Sequence, residues 1–173
     1  PDNPTPQSYS CKGKGKAQTA ILSPGTYQGG LVVKCSTVLN PGIYVIDGGE
    51  LDLAANYNVT GTGVMFVLKN GAKMKFGGNG NGNKITLTPM AASQFVGTAY
   101  ESQKNDLQGI LVFEHRNNNP GNPGHLLNGN SNSLIEGLIY LPSGEMTVLG
   151  TADVAAQCLQ ISANKAEVRP SVA

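Results

Sequence analysis

Apolar residues along this chain come in short runs, either alternating with polar positions or apolar throughout, and nearly every run ends at Gly, Asn or Pro. Ile43 to Ile46, Val64 to Leu68, Ile85 to Leu87, Ile110 to Phe113, Leu138 to Leu141 and Leu159 to Ile161 read as β-strands. Asp47-Gly48-Gly49, Lys69-Asn70-Gly71 and Pro142-Ser143-Gly144 read as the turns between them. Met90 to Gln103 is the one stretch with helical character, and Gly97 and its β-branched residues weaken it. The pattern predicts an all-β chain.

The runs repeat. Pro24-Gly25-Thr26-Tyr27 is echoed by Pro41-Gly42-Ile43-Tyr44, 17 positions on. Ile43-Tyr44-Val45-Ile46 matches Val64-Met65-Phe66-Val67 at 21, and Glu50-Leu51-Asp52-Leu53 matches Ala72-Lys73-Met74-Lys75 at 22. Leu138-Ile139-Tyr140-Leu141 matches Leu159-Gln160-Ile161-Ser162 at 21, and Glu145-Met146-Thr147-Val148 precedes Lys165-Ala166-Glu167-Val168 by 20. Three short strands with their turns need roughly 20 residues, the perimeter of one coil of a solenoid, with successive coils stacked in parallel about 4.8 Å apart. The prediction is a single parallel β-helix of five to six coils, with right-handed crossovers the general expectation. An antiparallel jelly roll or sandwich is the alternative, but it would not produce a recurrence near 21. Alternation leaves the phase of the interior row open: Tyr44 or Val45, Phe66 or Met65, Leu111 or Val112, Ile139 or Tyr140, Ile161 or Leu159.

Two segments interrupt the repeat. Residues 89–108 form an insertion, expected to be a corner excursion whose ends lie close together, and 116–124 is an Asn-, Pro- and Gly-rich loop. The organisation expected is an N-terminal capping segment over 1–20, a β-helix domain over 21–168 and a tail over 169–173 that helps cap the far end.

Composition narrows the function classes. The chain has 173 residues, 23 Gly and 17 Asn, with charged residues at only 13% and a formal net charge of +1. A concentrated basic face for nucleic acid is not expected from that balance. No apolar run is long enough to span a membrane, so any membrane link is expected through regions outside this chain. The chain opens at Pro1 without Met and is read as a processed piece whose export signals lie elsewhere. Of three cysteines, Cys11 and Cys35 could close a disulfide in an oxidising compartment with Cys158 free; three buried thiols are the equal alternative. Their spacings resemble no zinc motif, and no metal or cofactor is expected.

The string Leu22-Ser23-Pro24-Gly25-Thr26-Tyr27-Gln28-Gly29-Gly30-Leu31, followed by Leu39-Asn40-Pro41-Gly42-Ile43-Tyr44-Val45-Ile46-Asp47-Gly48-Gly49, resembles the repeated PGxYxGG and LNPGxYxIDGG block of TadG-like proteins. That family is linked to tight-adherence (Flp-type) pilus assembly in bacteria. The likeness continues through Val59-Thr60-Gly61-Thr62-Gly63-Val64, Gly109 to Phe113, Glu136 to Pro142 and Cys158 to Ala163, covering about 22–164. It implies an exported, surface-facing domain of a membrane-tethered, pilus-associated protein, and it brings no catalytic residues. Where family members often carry an Asp-Arg pair after the corresponding strand, this chain has Glu114-His115-Arg116.

That triplet is the densest group of chemistry in the chain. Arg116 could clamp a carboxylate or sugar acid with Glu114 and His115 beside it. The plainer reading is a solvated strand end, with Glu114 and Arg116 on one face and all three dispensable for stability. Asp47, Glu50 and Asp52 could contact a cation or partner, although without a repeated calcium motif a solvated acidic corner is favoured. Gly77 to Asn83 lacks the Lys-Ser/Thr of a phosphate loop and reads as a flexible corner, and Lys12, Lys14 and Lys16 read as a solvated tail. The expected function is therefore non-catalytic: an extracellular or periplasmic, surface-displayed structural or adhesive module. Its expected partners are pilus-system or cell-surface proteins or surface glycans. A polysaccharide lyase or hydrolase and a self-assembling filament subunit are the alternatives.

Overall fold

The computed structural model describes residues 5–53, 57–77, 84–128, 133–149 and 158–169. The expected corner over Gly78 to Asn83 and the tail over 170–173 lie outside them. Within them are β1 (Thr19–Leu22), β2 (Gly25–Val32), β3 (Ser36–Leu39), β4 (Gly42–Leu53), β5 (Val59–Lys69) and β6 (Lys73–Phe76). Then come β7 (Ile85–Pro89), β8 (Ile110–Glu114), β9 (His125–Asn128), β10 (Leu134–Ile135), β11 (Gly137–Leu149) and β12 (Leu159–Arg169). All strand-to-strand ladders are parallel and join into one sheet that winds as a β-solenoid of about 6 turns. The all-β parallel β-helix expected from the repeat is the observed fold.

The coil has three faces. β1, β3, the start of β5, β7 and β10 stack as the first. The starts of β2, β4, β11 and β12, with the end of β5 and all of β8, make the second. The ends of β2, β4, β11 and β12, with β6 and β9, make the third. Long strands such as β4 turn a corner within one strand; at Gly48–Gly49 the ladder with β2 shifts register and the pairing on the other side passes from β5 to β6. At Gly49, with φ of 67°, a side chain would run into the carbonyl of Gly29 in the preceding coil, so the corner requires glycine.

The open phase resolves to one partner in three of the five pairs; Leu111 is fully buried in the same core as Val112, and Leu159 packs against that core as Ile161 does. Tyr44, Phe66, Val112, Ile139 and Ile161 are register partners in succession on the second face, and the first four are fully buried. Most repeat offsets read from sequence are one residue short. Tyr44 stands beside Phe66 at 22, Leu51 beside Met74 at 23, and Ile139 beside Ile161 at 22, whereas Glu145 beside Lys165 keeps the offset of 20. Matching apolar residues by type alone permits such slips, because neighbouring positions on both sides of this face are apolar.

The PGxY echo at 17 proves to be a corner motif rather than a ladder register, since Gly25 pairs with Tyr44 at 19. In both copies the tyrosine hydroxyl donates to the carbonyl four residues back, Tyr27 to Ser23 at 2.8 Å and Tyr44 to Asn40 at 2.7 Å. The Tyr27 and Tyr44 rings stack at 5.9 Å, and a side chain at Gly25 would run into Thr5 and Gln7 of the N-terminal segment. Burial pushes the Tyr27 phenol up to about 12 and raises that of Tyr44 as well.

The N-terminal segment covers the first coil. Pro6 bridges Thr26, Lys12 bridges Thr19, and the Cys11–Cys35 disulfide ties this segment to the start of β3. Cys158 is free and exposed. Arg169, expected to begin the tail, is instead the last ladder residue of β12, beside Leu149. The insertion is more than a corner excursion. Its ends do meet, Gly109 N–H donating to the Met90 carbonyl at 3.0 Å. Between them two 3-10 turns and the short helix α1 (Lys104–Leu107) lie on the outside of the second face. There Met90 and Phe95 bury themselves against Met65 and Ile110 as a second, smaller core.

Candidate functional site

Glu114 ends β8 on the inward side, in register with Leu68 and, one coil earlier, Ile46. Its side chain is wholly buried, so a carboxylate occupies a place that the preceding coils give to Tyr27, Ile46 and Leu68. Four donors account for it. Oε1 accepts from His125 Nε2 at 2.9 Å and Asn118 Nδ2 at 2.8 Å, while Oε2 accepts from the Ser143 and Gly144 amides at 2.9 and 2.8 Å.

The partners are satisfied in turn. His125 Nδ1 accepts the Met74 amide at 3.0 Å, which places the imidazole proton on Nε2, facing Glu114. Asn118 also donates to the Ala72 carbonyl and accepts the Gly71 amide, at 2.8 and 2.7 Å. The 116–124 loop is thereby pinned to the β5–β6 corner. Burial pushes the Glu114 carboxyl up, but the bonds from His125, Asn118 and Ser143 outweigh it and hold it below the usual carboxylate range.

The triplet therefore divides. Glu114 is no solvated strand end and shares no face with Arg116; the chain leaves the strand at Glu114, and His115 and Arg116 point into solvent. His115 Nδ1 accepts the Asn117 amide at 3.2 Å, and the Arg116 carbonyl accepts from Ser143 Oγ. Of the three, the two exposed side chains remain open to a partner, and Glu114 works as an internal tie.

Asp47 and Glu50 lie on the outside, around the Gly48–Gly49 bend, and each faces a lysine one coil on. Asp47 pairs with Lys69 at 3.0 Å, Glu50 with Lys73 at 4.0 Å and Asp52 with Lys75 at 3.6 Å. The Asn70 amide bond to Asp47, then Lys69, hold the Asp47 carboxyl below its ordinary value. No group of three or more His, Cys, Asp or Glu able to hold a metal occurs among the described residues.

Sequence reasoning missed His125, Asn118 and the Ser143–Gly144 amides. One signal could have found them: if Val112 faces inward, alternation sends Glu114 inward too, and a buried carboxylate demands donors. A second feature was equally hidden, a cleft of about 360 Å³ on the outside of the third face, around Gly124 and Leu126. No protein-family model, no curated protein and no solved structure matches the chain.

Proposed function

We propose that this chain is a non-catalytic, exported structural or adhesive module, a short rigid rod that presents loops and corners to cell-surface partners. One observation carries the reading: the acidic groups singled out in the sequence are engaged in joining coil to coil. Glu114 ties three segments together, and Asp47, Glu50 and Asp52 each pair with the next coil's lysine. The Cys11–Cys35 bridge supports an oxidising compartment. The resemblance to TadG-like proteins names pilus-associated machinery as the setting.

The test has three arms. Incubation with acidic and neutral glycans should yield no cleavage products; turnover would promote a lyase or hydrolase on the solenoid scaffold. Light scattering against concentration should show no growing filament, and growth would favour a self-assembling subunit. Binding to whole cells or surface fractions should be measurable, and Arg116→Ala should weaken contact with an acidic surface and lower its salt sensitivity without altering folding.

A further inference from the structure

The outside of the third face carries two rows of side chains running along the solenoid axis. The register places Glu50, Lys73, Gly124, Glu145 and Lys165 in one row, and Asp52, Lys75, Leu126, Thr147 and Glu167 in the other. The rows begin at Gly30 and Val32 in the coil of β2; from Glu50 onward they are polar or charged except in the coil of β9, where both become small or apolar and a charged coil lies on either side. Gly124 cannot be larger, because a side chain there would meet the Glu145 carbonyl. The result is the cleft of about 360 Å³, at the lower end of ligand-sized pockets.

Its floor is Pro123, Gly124 and Leu126, and its walls are Lys73 and Lys75 on the preceding coil and Glu145 and Thr147 on the following one. Two coil steps separate the walls, about 10 Å. Three carboxylates and three cations line the cleft in all. Glu50 pairs with Lys73, and Glu167 with Arg169 at 2.8 Å; Lys75 pairs with Asp52, and Glu145 with Lys165 at 3.4 Å. An ionic ligand would have to break such pairs and would meet no net opposite charge. A neutral ligand with an apolar face and many hydroxyls meets the opposite situation: hydroxyls both donate and accept, so they can bond ammonium and carboxylate walls alike while the ion pairs persist.

We infer that this cleft is a binding site for a neutral pyranose ring of a glycan, its C–H face on Leu126 and Pro123 and its hydroxyls toward Lys73, Lys75, Glu145 and Thr147. The inference rests on the adhesive reading and specifies the partner.

Cellotetraose as the neutral probe, trigalacturonate as an anionic one and chitosan trimer as a cationic one are titrated into ¹⁵N-labelled protein. Cellotetraose should shift the amide resonances of Gly124, Leu126 and Thr147. Thr147→Trp, which fills the cleft, and Leu126→Lys, which restores a charge to the floor, should each weaken binding at least tenfold. Ile21→Trp, on the exposed outside of the first face, should not; circular dichroism checks that all three fold. Shifts from only the charged oligosaccharides, shifts mapping elsewhere, no response to cellotetraose, or undiminished binding by Thr147→Trp would overturn the inference. Cell binding by the same variants separates the two claims. Adhesion that survives Thr147→Trp overturns the cleft alone, whereas native protein that adheres to nothing overturns the adhesive reading.

Discussion

Asp47 and Glu114 both stand at the end of the second face, two coils apart, on adjacent columns of the sheet. The one-column difference sends Asp47 outward, to a lysine and water, and Glu114 inward, to four hydrogen bonds and no solvent. An outward carboxylate can lose its partner cheaply, since water replaces it. An inward one is tolerable only while its whole set of donors is in place, and the donors depend on it equally. Burial, not acidity, decides which of the two is part of the fold's framework.

The severest test of that contrast places a carboxylate on the same inward line without donors. Val112 is buried two residues before Glu114, so Val112→Asp should cost more than about 4 kcal/mol, enough to abolish the cooperative unfolding transition. A melting temperature near that of the native chain would refute the register. Next in size, Glu114→Ala should cost about 3–5 kcal/mol in a denaturant titration, because it strands the Ser143 and Gly144 amides, Asn118 and His125. It should also free the 116–124 loop, seen as faster amide exchange at Gly71 and Met74.

The pH dependence has a definite sign. The Glu114 carboxyl is held below its ordinary 4.5 in the folded chain, so as pH falls the unfolded chain takes up the proton first. Stability present at neutral pH is then lost as pH drops through about that value and onward through the folded one. Asp47 contributes in the same direction. Urea midpoints measured between neutral and acid pH should fall steeply in the native chain and less steeply in Glu114→Gln.

A milder effect is expected at the insertion. Phe95→Ala should loosen its docking by about 3 kcal/mol, making residues 96–104 quicker to cleave by protease while the solenoid's own transition moves little. The smallest belongs to the outer corner: Lys69→Ala should change stability by under about 1 kcal/mol, an effect that vanishes in high salt. An Asp47 partner worth as much as those of Glu114 would erase the contrast.

What the chain's own pattern determined is the architecture: strand-length apolar runs, glycine and asparagine at corners and a recurrence near 21 residues admit a parallel coil and little else. The Cys11–Cys35 pair was one of two open readings, and the PGxY echo marked real corners while misplacing the ladder. Register and phase were decided only in three dimensions, because on a face where Val45 and Met65 are buried from outside as Tyr44 and Phe66 are from within, hydrophobicity does not distinguish in from out. The insertion causes that ambiguity: by packing Phe95 and Met90 on the outer side it makes both sides of the second face apolar. Glu114 looked like a wet strand end because its donors come from positions 118, 125, 143 and 144. Two of the four are backbone amides, which leave no trace in side-chain chemistry. The cleft at Gly124 is likewise the absence of a side chain between neighbouring coils, and such an absence takes shape only once the coils are stacked.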